Sequence, residues 1–230
     1  MKDQTPLPQG EEKARAVRSM FDRIAPRYDL VNRVMTFGMD VGWRRRTVAN
    51  LGLRPGSLVL DLACGTGDLC RELVKQGHVA IGVDVSMGML RAARTTSPLL
   101  QADALRLPVR DSSIDGITCG FALRNVIDLT MLFAEMARVL RPGGRIGLLE
   151  VSQPDSAVLR RGHAFYFNKV VPLIGGLLSD RSAYSYLPRS AAYLPPRDEM
   201  LRMLRTQGFA DASSLALPLG AAQVIAGTRT

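Results

Sequence analysis

Cysteine is scarce in this chain and histidine scarcer. The three cysteines, Cys64, Cys70 and Cys119, lack zinc-type spacing, and an odd number without an apolar leader makes no disulfide framework. The two histidines, His78 and His163, are far apart in sequence. No metal site is expected, and the thiols read as small buried hydrophobes. No apolar run reaches about 18 residues, which excludes a membrane-spanning helix. The opening MKDQTPLPQGEEK lacks the apolar core of a secretory leader, so a cytoplasmic chain is expected. At 230 residues and 47% hydrophobic content, the chain can bury a core as a single domain, and wholesale disorder is excluded.

Charge is not scarce. Thirty Lys and Arg against 21 Asp and Glu leave a net +9, which by itself invites a nucleic-acid reading. Its distribution argues otherwise. Residues 1–54 hold 11 basic and 6 acidic side chains, 55–150 hold ten of each, and 151–207 hold 8 and 4. The aromatics divide the same way. Of 13, four lie at Phe21, Tyr28, Phe37 and Trp43, and six between Phe165 and Tyr193. Basic, aromatic flanks surround a neutral centre that carries no appended RNA-binding motif.

The centre has an α/β rhythm. Apolar runs at 57–62, 78–83, 99–102, 114–120 and 145–151 predict strands. Amphipathic stretches at 68–76, 87–95 and 128–140 predict helices, the last ended by Pro142-Gly143-Gly144. Helix 11–24 precedes them and is broken at Pro26. Helical pieces interrupted near Phe37-Gly38 fill 28–50, and a helix at 197–207 followed by an edge hairpin closes the chain. The expected fold is α/β and Rossmann-like, a doubly wound, mostly parallel, seven-stranded sheet. The expected divisions are an N-terminal helical cap (1–54), a cofactor core (55–151), a helical lid insertion (152–196), and a C-terminal helix with edge strands (197–230).

Ligands in such sheets sit outside the carboxyl ends of the strands. There the chain places Asp61-Leu-Ala-Cys-Gly65-Thr66-Gly67-Asp68, then Asp84, then Asp103-Ala104. Glycines admit close approach to backbone, and an acid ending the second strand can hold both ribose hydroxyls. The nicotinamide fingerprint fails here: cysteine replaces its third glycine, and Asp68 at the helix start repels a pyrophosphate. S-adenosylmethionine carries a sulfonium and no phosphate, so Asp61, Asp84 and Asp103 favour it, with Ala104 N–H serving the adenine ring.

The chain resembles the UbiE/COQ5 methyltransferases of quinone biosynthesis. The likeness rests on Met20-Phe-Asp-Arg-Ile-Ala-Pro-Arg-Tyr-Asp29 with Asn32, Met35, Phe37, Gly38 and Trp43. It rests also on Arg138 to Gly144 through Glu150-Val-Ser152, on Phe121-Ala-Leu-Arg-Asn-Val126, and on Asp180-Arg-Ser-Ala-Tyr184-Ser-Tyr186-Leu with Ser190. The resemblance implies a class I S-adenosylmethionine-dependent methyltransferase fold. It also implies methyl transfer to a ring carbon of a reduced, lipophilic quinol, with S-adenosylhomocysteine as product. Its cofactor positions fall on Thr66, Asp84, Asp103 and Ala104, alongside Asp61, Gly65, Gly67 and Tyr28. Gly120 stands where the family usually has serine, Asp40 where it often has histidine, and Ala63 where many methyltransferases have glycine.

Arg124 is the expected catalytic group. It would stabilise the phenolate that makes a ring carbon nucleophilic, or orient a water that takes the proton, with Asn125 orienting it or the substrate oxygen. The structural alternative is an ion pair with Asp115 or Asp128. Tyr184 and Tyr186 either meet the quinol oxygens and ring or pack the core. His163 reads as structural. The basic, aromatic flanks suit an anionic membrane surface, and 160–196 serves as lid, membrane contact or homodimer contact. Alternative acceptors are a ubiquinone precursor or a secondary metabolite. An RNA methyltransferase or other RNA-binding protein fits less well, and no nucleic-acid partner is expected.

Overall fold

Short β-rich runs bounded by Gly turns become strands, and the amphipathic stretches between them become the crossovers that cover both faces. The computed structural model describes residues 9–152, 154 and 156–230. Strands β1 (Leu58–Leu62), β2 (Val79–Asp84), β3 (Leu99–Gln101), β4 (Ile114–Gly120) and β5 (Leu140–Val151) are parallel. The C-terminal pair β6 (Ser213–Ala216) and β7 (Ala222–Thr228) forms an antiparallel hairpin. The sheet order is β3-β2-β1-β4-β5-β7-β6, with β7 antiparallel to β5. Strand order reverses between β1 and β4, which opens a crevice at their carboxyl ends.

The N-terminal helices are α1 (Gly10–Ile24), α2 (Tyr28–Met35) and α3 (Met39–Asn50). Glu11 and Glu12 complement the dipole of α1, whose Met20 and Ile24 are buried. The turn Ala25-Pro26-Arg27 ends it, and Phe37 (φ 51) with Gly38 (φ 74) separates α2 from α3, as expected. On one sheet face, α3 and α4 (Asp68–Lys75) bury Val48, Leu51, Leu69 and Leu73 against Val59 and Ala80. On the other, α6 (Leu129–Val139) and α10 (Arg197–Thr206) bury Leu132, Phe133, Met136, Met200 and Leu204. Each such side chain contributes roughly 1.5–3 kcal/mol. α5 (Met87–Ala92) starts on a Ser86 cap. Residues 156–190 form α7 (Ala157–Phe165), a π-helical segment at Tyr166–Val170, α8 (Val171–Leu178) and α9 (Arg181–Ser190).

Two local expectations need correction. The helix expected over 87–95 stops at Ala92, because the chain turns back toward the glycine loop: Arg94 N–H donates to Thr66 O (3.0 Å). Pro142-Gly143-Gly144 does not end α6. Leu140 is already extended and pairs with Ile114, while Arg145 pairs with Gly116, so the intervening residues form a bulge inside β5. Strand β5 thus begins five residues earlier than the expected 145.

Candidate active site

Two cavities adjoin at the carboxyl edge of the sheet. The first, about 170 Å³, lies over the ends of β1, β2 and β4 and over Ala102–Leu105, with α1 as its roof. Asp22 on α1 fixes that roof. It accepts from Ser86 Oγ (2.6 Å) and Gly88 N–H (2.8 Å). Burial pushes the Asp22 carboxyl up, but those two bonds together with the charges of Arg18 and Arg91 outweigh it and lower its pKa from the ordinary value. A Cβ on Gly88 would stand 2.8 Å from Asp22 Cα, so the helix approach requires glycine there. Lys13 ties α1 to Val126 O (2.9 Å) and lies over the Tyr193 ring; its burial lowers its pKa to about 8.

Asp84 ends β2 in this cavity. Its two oxygens accept from Gly65 N–H and Ser86 N–H, each at 2.8 Å, and burial raises its pKa. An ionised carboxylate has about four acceptor positions, so lone pairs remain for a ligand's hydroxyls. Gly65 holds φ 56 with nothing within 4 Å of a would-be Cβ. Asp103, Ala104 and Gly120 also line the cavity, and Asp103 accepts from Leu105 N–H (2.9 Å). At Gly120 a Cβ would meet Leu69 Cδ1 at 2.9 Å, so a larger residue there requires the Leu69 side chain to shift. Ala63 lines the same cavity at φ 51, a left-handed conformation that glycine adopts without strain.

Three expected cofactor residues lie outside this lining. Asp61 is buried beneath the loop, accepting from Thr118 Oγ1 (2.8 Å) and Cys70 Sγ (3.5 Å), and burial raises its pKa to about 7. Thr66 donates to Asp29 and so ties α2 to the glycine loop. Gly67 (φ 83) caps α4 beneath Thr95.

The second cavity is larger, about 520 Å³, and mostly apolar. It lies between α1, α2, α3 and the segment from α7 to α9. Phe21, Tyr28 and Phe121 line both cavities. Phe121 holds φ 57 and packs its ring 6.2 Å from Trp43; Tyr166 donates to Met35 O (2.7 Å). Burial raises the Tyr28 pKa.

Arg124 lines this second cavity, on the turn Leu123–Asn125 after β4. Its partner is neither Asp115 nor Asp128. Asp115 pairs with Arg141 (2.6 Å), and Asp128 caps α6 through Met131 N–H (2.9 Å). Glu150, wholly buried on β5, takes Arg124 Nη1 at 2.5 Å. Tyr184 is buried in the cavity wall, where burial pushes its hydroxyl up. Arg124 Nε and Tyr184 OH are two of four buried side-chain polar atoms without a hydrogen-bond partner among the described residues. Asn125 faces the first cavity and accepts from Tyr186 OH (3.3 Å), so Asn125 and Tyr186 form one polar contact. Burial raises the Tyr186 pKa to about 12. His163 lines the second cavity stacked on Phe167, and burial lowers its pKa.

Sequence reasoning passed over Glu150 and the charged network beneath the second cavity. Asp40 accepts from Arg33 (3.0 Å), Thr36 (2.8 Å) and Arg44, and Arg44 reaches Asp68 (3.2 Å). Both lay in the motifs already singled out; their partners depend on register and helix packing.

The donor set fits S-adenosylmethionine. Asp84 offers acceptor positions to a ribose, and Asp103 and Ala104 offer an acceptor and an amide to an adenine edge. Asp68, expected to repel a pyrophosphate, instead lies outside this lining and is paired with Arg33, Arg44 and Arg71. No group of three or more His, Cys, Asp or Glu among the described residues could hold a metal ion.

Comparison with known proteins agrees. The ubiE/COQ5 methyltransferase family model matches residues 9–229. The chain is 42% identical to a demethylmenaquinone methyltransferase of Roseiflexus castenholzii, covering 97% of each chain. It is 38% identical to the ubiquinone/menaquinone biosynthesis C-methyltransferase UbiE of Geobacter sulfurreducens, over 95% of this chain and 90% of that one. Among solved structures, a putative S-adenosylmethionine-dependent methyltransferase of Methanococcus maripaludis superposes with a TM-score of 0.66 at 15% identity, over 92% of this chain and 94% of that one. The expected class I methyltransferase fold is therefore present, and the chain belongs to the ubiE/COQ5 methyltransferase family.

Proposed function

We propose that this S-adenosylmethionine-dependent enzyme methylates a ring carbon of a reduced polyprenyl naphthoquinone, converting a demethylmenaquinol to a menaquinol. The observation that carries this reading is the large apolar cavity that shares Phe21, Tyr28 and Phe121 with the cofactor cavity and is lined by two buried guanidiniums, Arg124 and Arg44, of which Arg44 is held by Asp40 and Asp68. An aromatic ring with a hydrocarbon tail fits such walls, and an ionising ring hydroxyl needs such a cation. When bound, S-adenosylmethionine would supply an electrophilic methyl group, its methyl–sulfur bond breaking to leave S-adenosylhomocysteine. Arg124 stabilises the phenolate left when the ring hydroxyl gives its proton to water. The phenolate's electrons form the new carbon–carbon bond, and the ring hydrogen is then lost as a proton while the oxygen regains one, so one proton is released overall. Phe121 and Tyr28, at the join of the cavities, would align ring and donor. Asp84, Asp103 and Ala104 would hold the donor.

The reading is tested by incubating the protein with methyl-labelled S-adenosylmethionine and separate pools of reduced demethylmenaquinone, demethylated ubiquinol precursor and RNA. Label is expected in the naphthoquinol. Label confined to either other pool would replace this acceptor.

A tailed quinol resides in a bilayer, and no helix among the described residues is long and apolar enough to cross one. We infer that the mouth of the large cavity meets an anionic lipid surface. Phe37 (75% exposed) and Val158 (79%) both line that cavity, and Leu177 (77%) is exposed on α8. Arg160, Arg161 and Lys169 are exposed on the same segment. Apolar side chains enter the interface while cations meet headgroups, each worth about 1 kcal/mol. Co-sedimentation with phosphatidylglycerol vesicles is expected to fall sharply as salt rises from about 0.1 M to 1 M, where the Debye length shrinks from ~10 to ~3 Å. Leu177→Asp is expected to weaken it about tenfold at fixed salt. Association indifferent to both would remove the membrane contact.

A further inference from the structure

Glu150 is wholly buried, yet carries its charge to one residue. Its Oε1 accepts from Arg124 Nη1 (2.5 Å) and Val151 N–H (2.9 Å), and its Oε2 lies 3.4 Å from the backbone N of Arg124. One carboxylate therefore holds both ends of Arg124, its amide and its guanidinium. The side chain is folded back over its own turn, and Nη1 is occupied. Nε–H is left buried with no partner. A buried ion pair is by itself weak support for a fold, since desolvation offsets most of its attraction. Its value lies in the direction it imposes.

We propose that Glu150 is a positioning residue for the methyl transfer, clamping Arg124 so that its guanidinium is held in the wall of the large cavity, toward the ionising oxygen of the acceptor. This rests on the quinol reading above. Without the clamp, the guanidinium turns away, and the hydroxyl loses the cation that eases its ionisation.

The test uses the full chain, reduced demethylmenaquinone and labelled S-adenosylmethionine. Glu150→Gln keeps shape and an acceptor but removes the charge. Its kcat is expected to fall about 10- to 100-fold, with the KM for S-adenosylmethionine nearly unchanged. The acid limb of its kcat–pH profile is expected to move up by about one unit, because the hydroxyl ionises with less help. Glu150→Asp, which keeps the charge, should recover part of both. The double variant Glu150→Met with Arg124→Met leaves no buried charge behind; it is expected to fold and bind S-adenosylhomocysteine yet not turn over. A uniform loss of kcat with no shift of the acid limb would make Glu150 merely structural and overturn the proposal. So would a folded double variant that still turns over. If the wild-type protein itself leaves the quinol unlabelled while binding S-adenosylmethionine, the acceptor reading falls, and this proposal with it.

Discussion

Arg124→Met is expected to lower quinol turnover by about 10²–10³-fold, equivalent to roughly 2.7–4 kcal/mol of lost transition-state stabilisation. The side chain is 6% exposed, so its charge acts on the substrate with little screening by water. S-adenosylmethionine affinity should change little, because Arg124 lines the larger cavity, whereas Asp84 and Asp103, proposed to hold the donor, line the other. The loss should therefore fall on kcat and kcat/KM together. Stability will also suffer: Glu150 is left buried without its cation, which costs about 3–5 kcal/mol. Activity must accordingly be read well below the melting transition, with cofactor binding measured on the same sample. Arg124→Lys keeps a positive charge but replaces the planar fork with a point charge, so it should recover only part of the loss. Full turnover by a folded, cofactor-bound Arg124→Met protein would remove the assigned role.

The second large effect belongs to Asp84. Asp84→Asn is expected to weaken S-adenosylmethionine binding by about two orders of magnitude, since hydrogen bonds to a charged group are worth about 1.5–3 kcal/mol each. The amide also turns an NH₂ toward Gly65 N–H or Ser86 N–H, both of which now donate to the carboxylate. S-adenosylhomocysteine separates the contributions. A ribose contact weakens both ligands alike, whereas a carboxylate acting on the sulfonium would weaken only the methylated one. The pH dependence follows from burial, which raises the Asp84 pKa. The ionised form accepts hydroxyl donors, so affinity is full above that raised value and lost as pH falls through it. This acid limb lies above that of an ordinary aspartate, and Asp84→Asn abolishes it. Calorimetric titration across pH reads both effects.

Periodicity and turn chemistry made the five parallel strands, the break at Phe37-Gly38 and the terminal hairpin legible, because each is decided within a few residues. Asp84, Asp103, Ala104 and Gly120 were legible as strand ends, since the crevice of an α/β sheet lies there. What was not legible depends on long-range placement. The partner of Arg124 is set by how β5 aligns beside β4, with Gly120 opposite Leu149, so Glu150 wins over the acids nearer in sequence. Asp61 looked like a ligand because it ends β1, but its side chain points into the packing with Thr118 and Cys70. The Pro-Gly-Gly segment reads as a stop in any one-dimensional view; only the pairing of Leu140 with Ile114 makes it a bulge.

The roof of the cofactor cavity has a consequence for synthesis. Apart from α2, helix α1 is translated well before what it rests on. Its Met20 and Ile24 pack with Met89, its Asp22 binds Ser86, and its Lys13 waits for Val126. At roughly 5–20 residues per second, the ribosome takes several seconds to deliver those partners. A 15-residue helix is marginal alone in water, so during that interval α1 is a nascent, uncommitted amphipathic segment. The part of the chain made early is thus docked late, after the central strands it will cover have emerged.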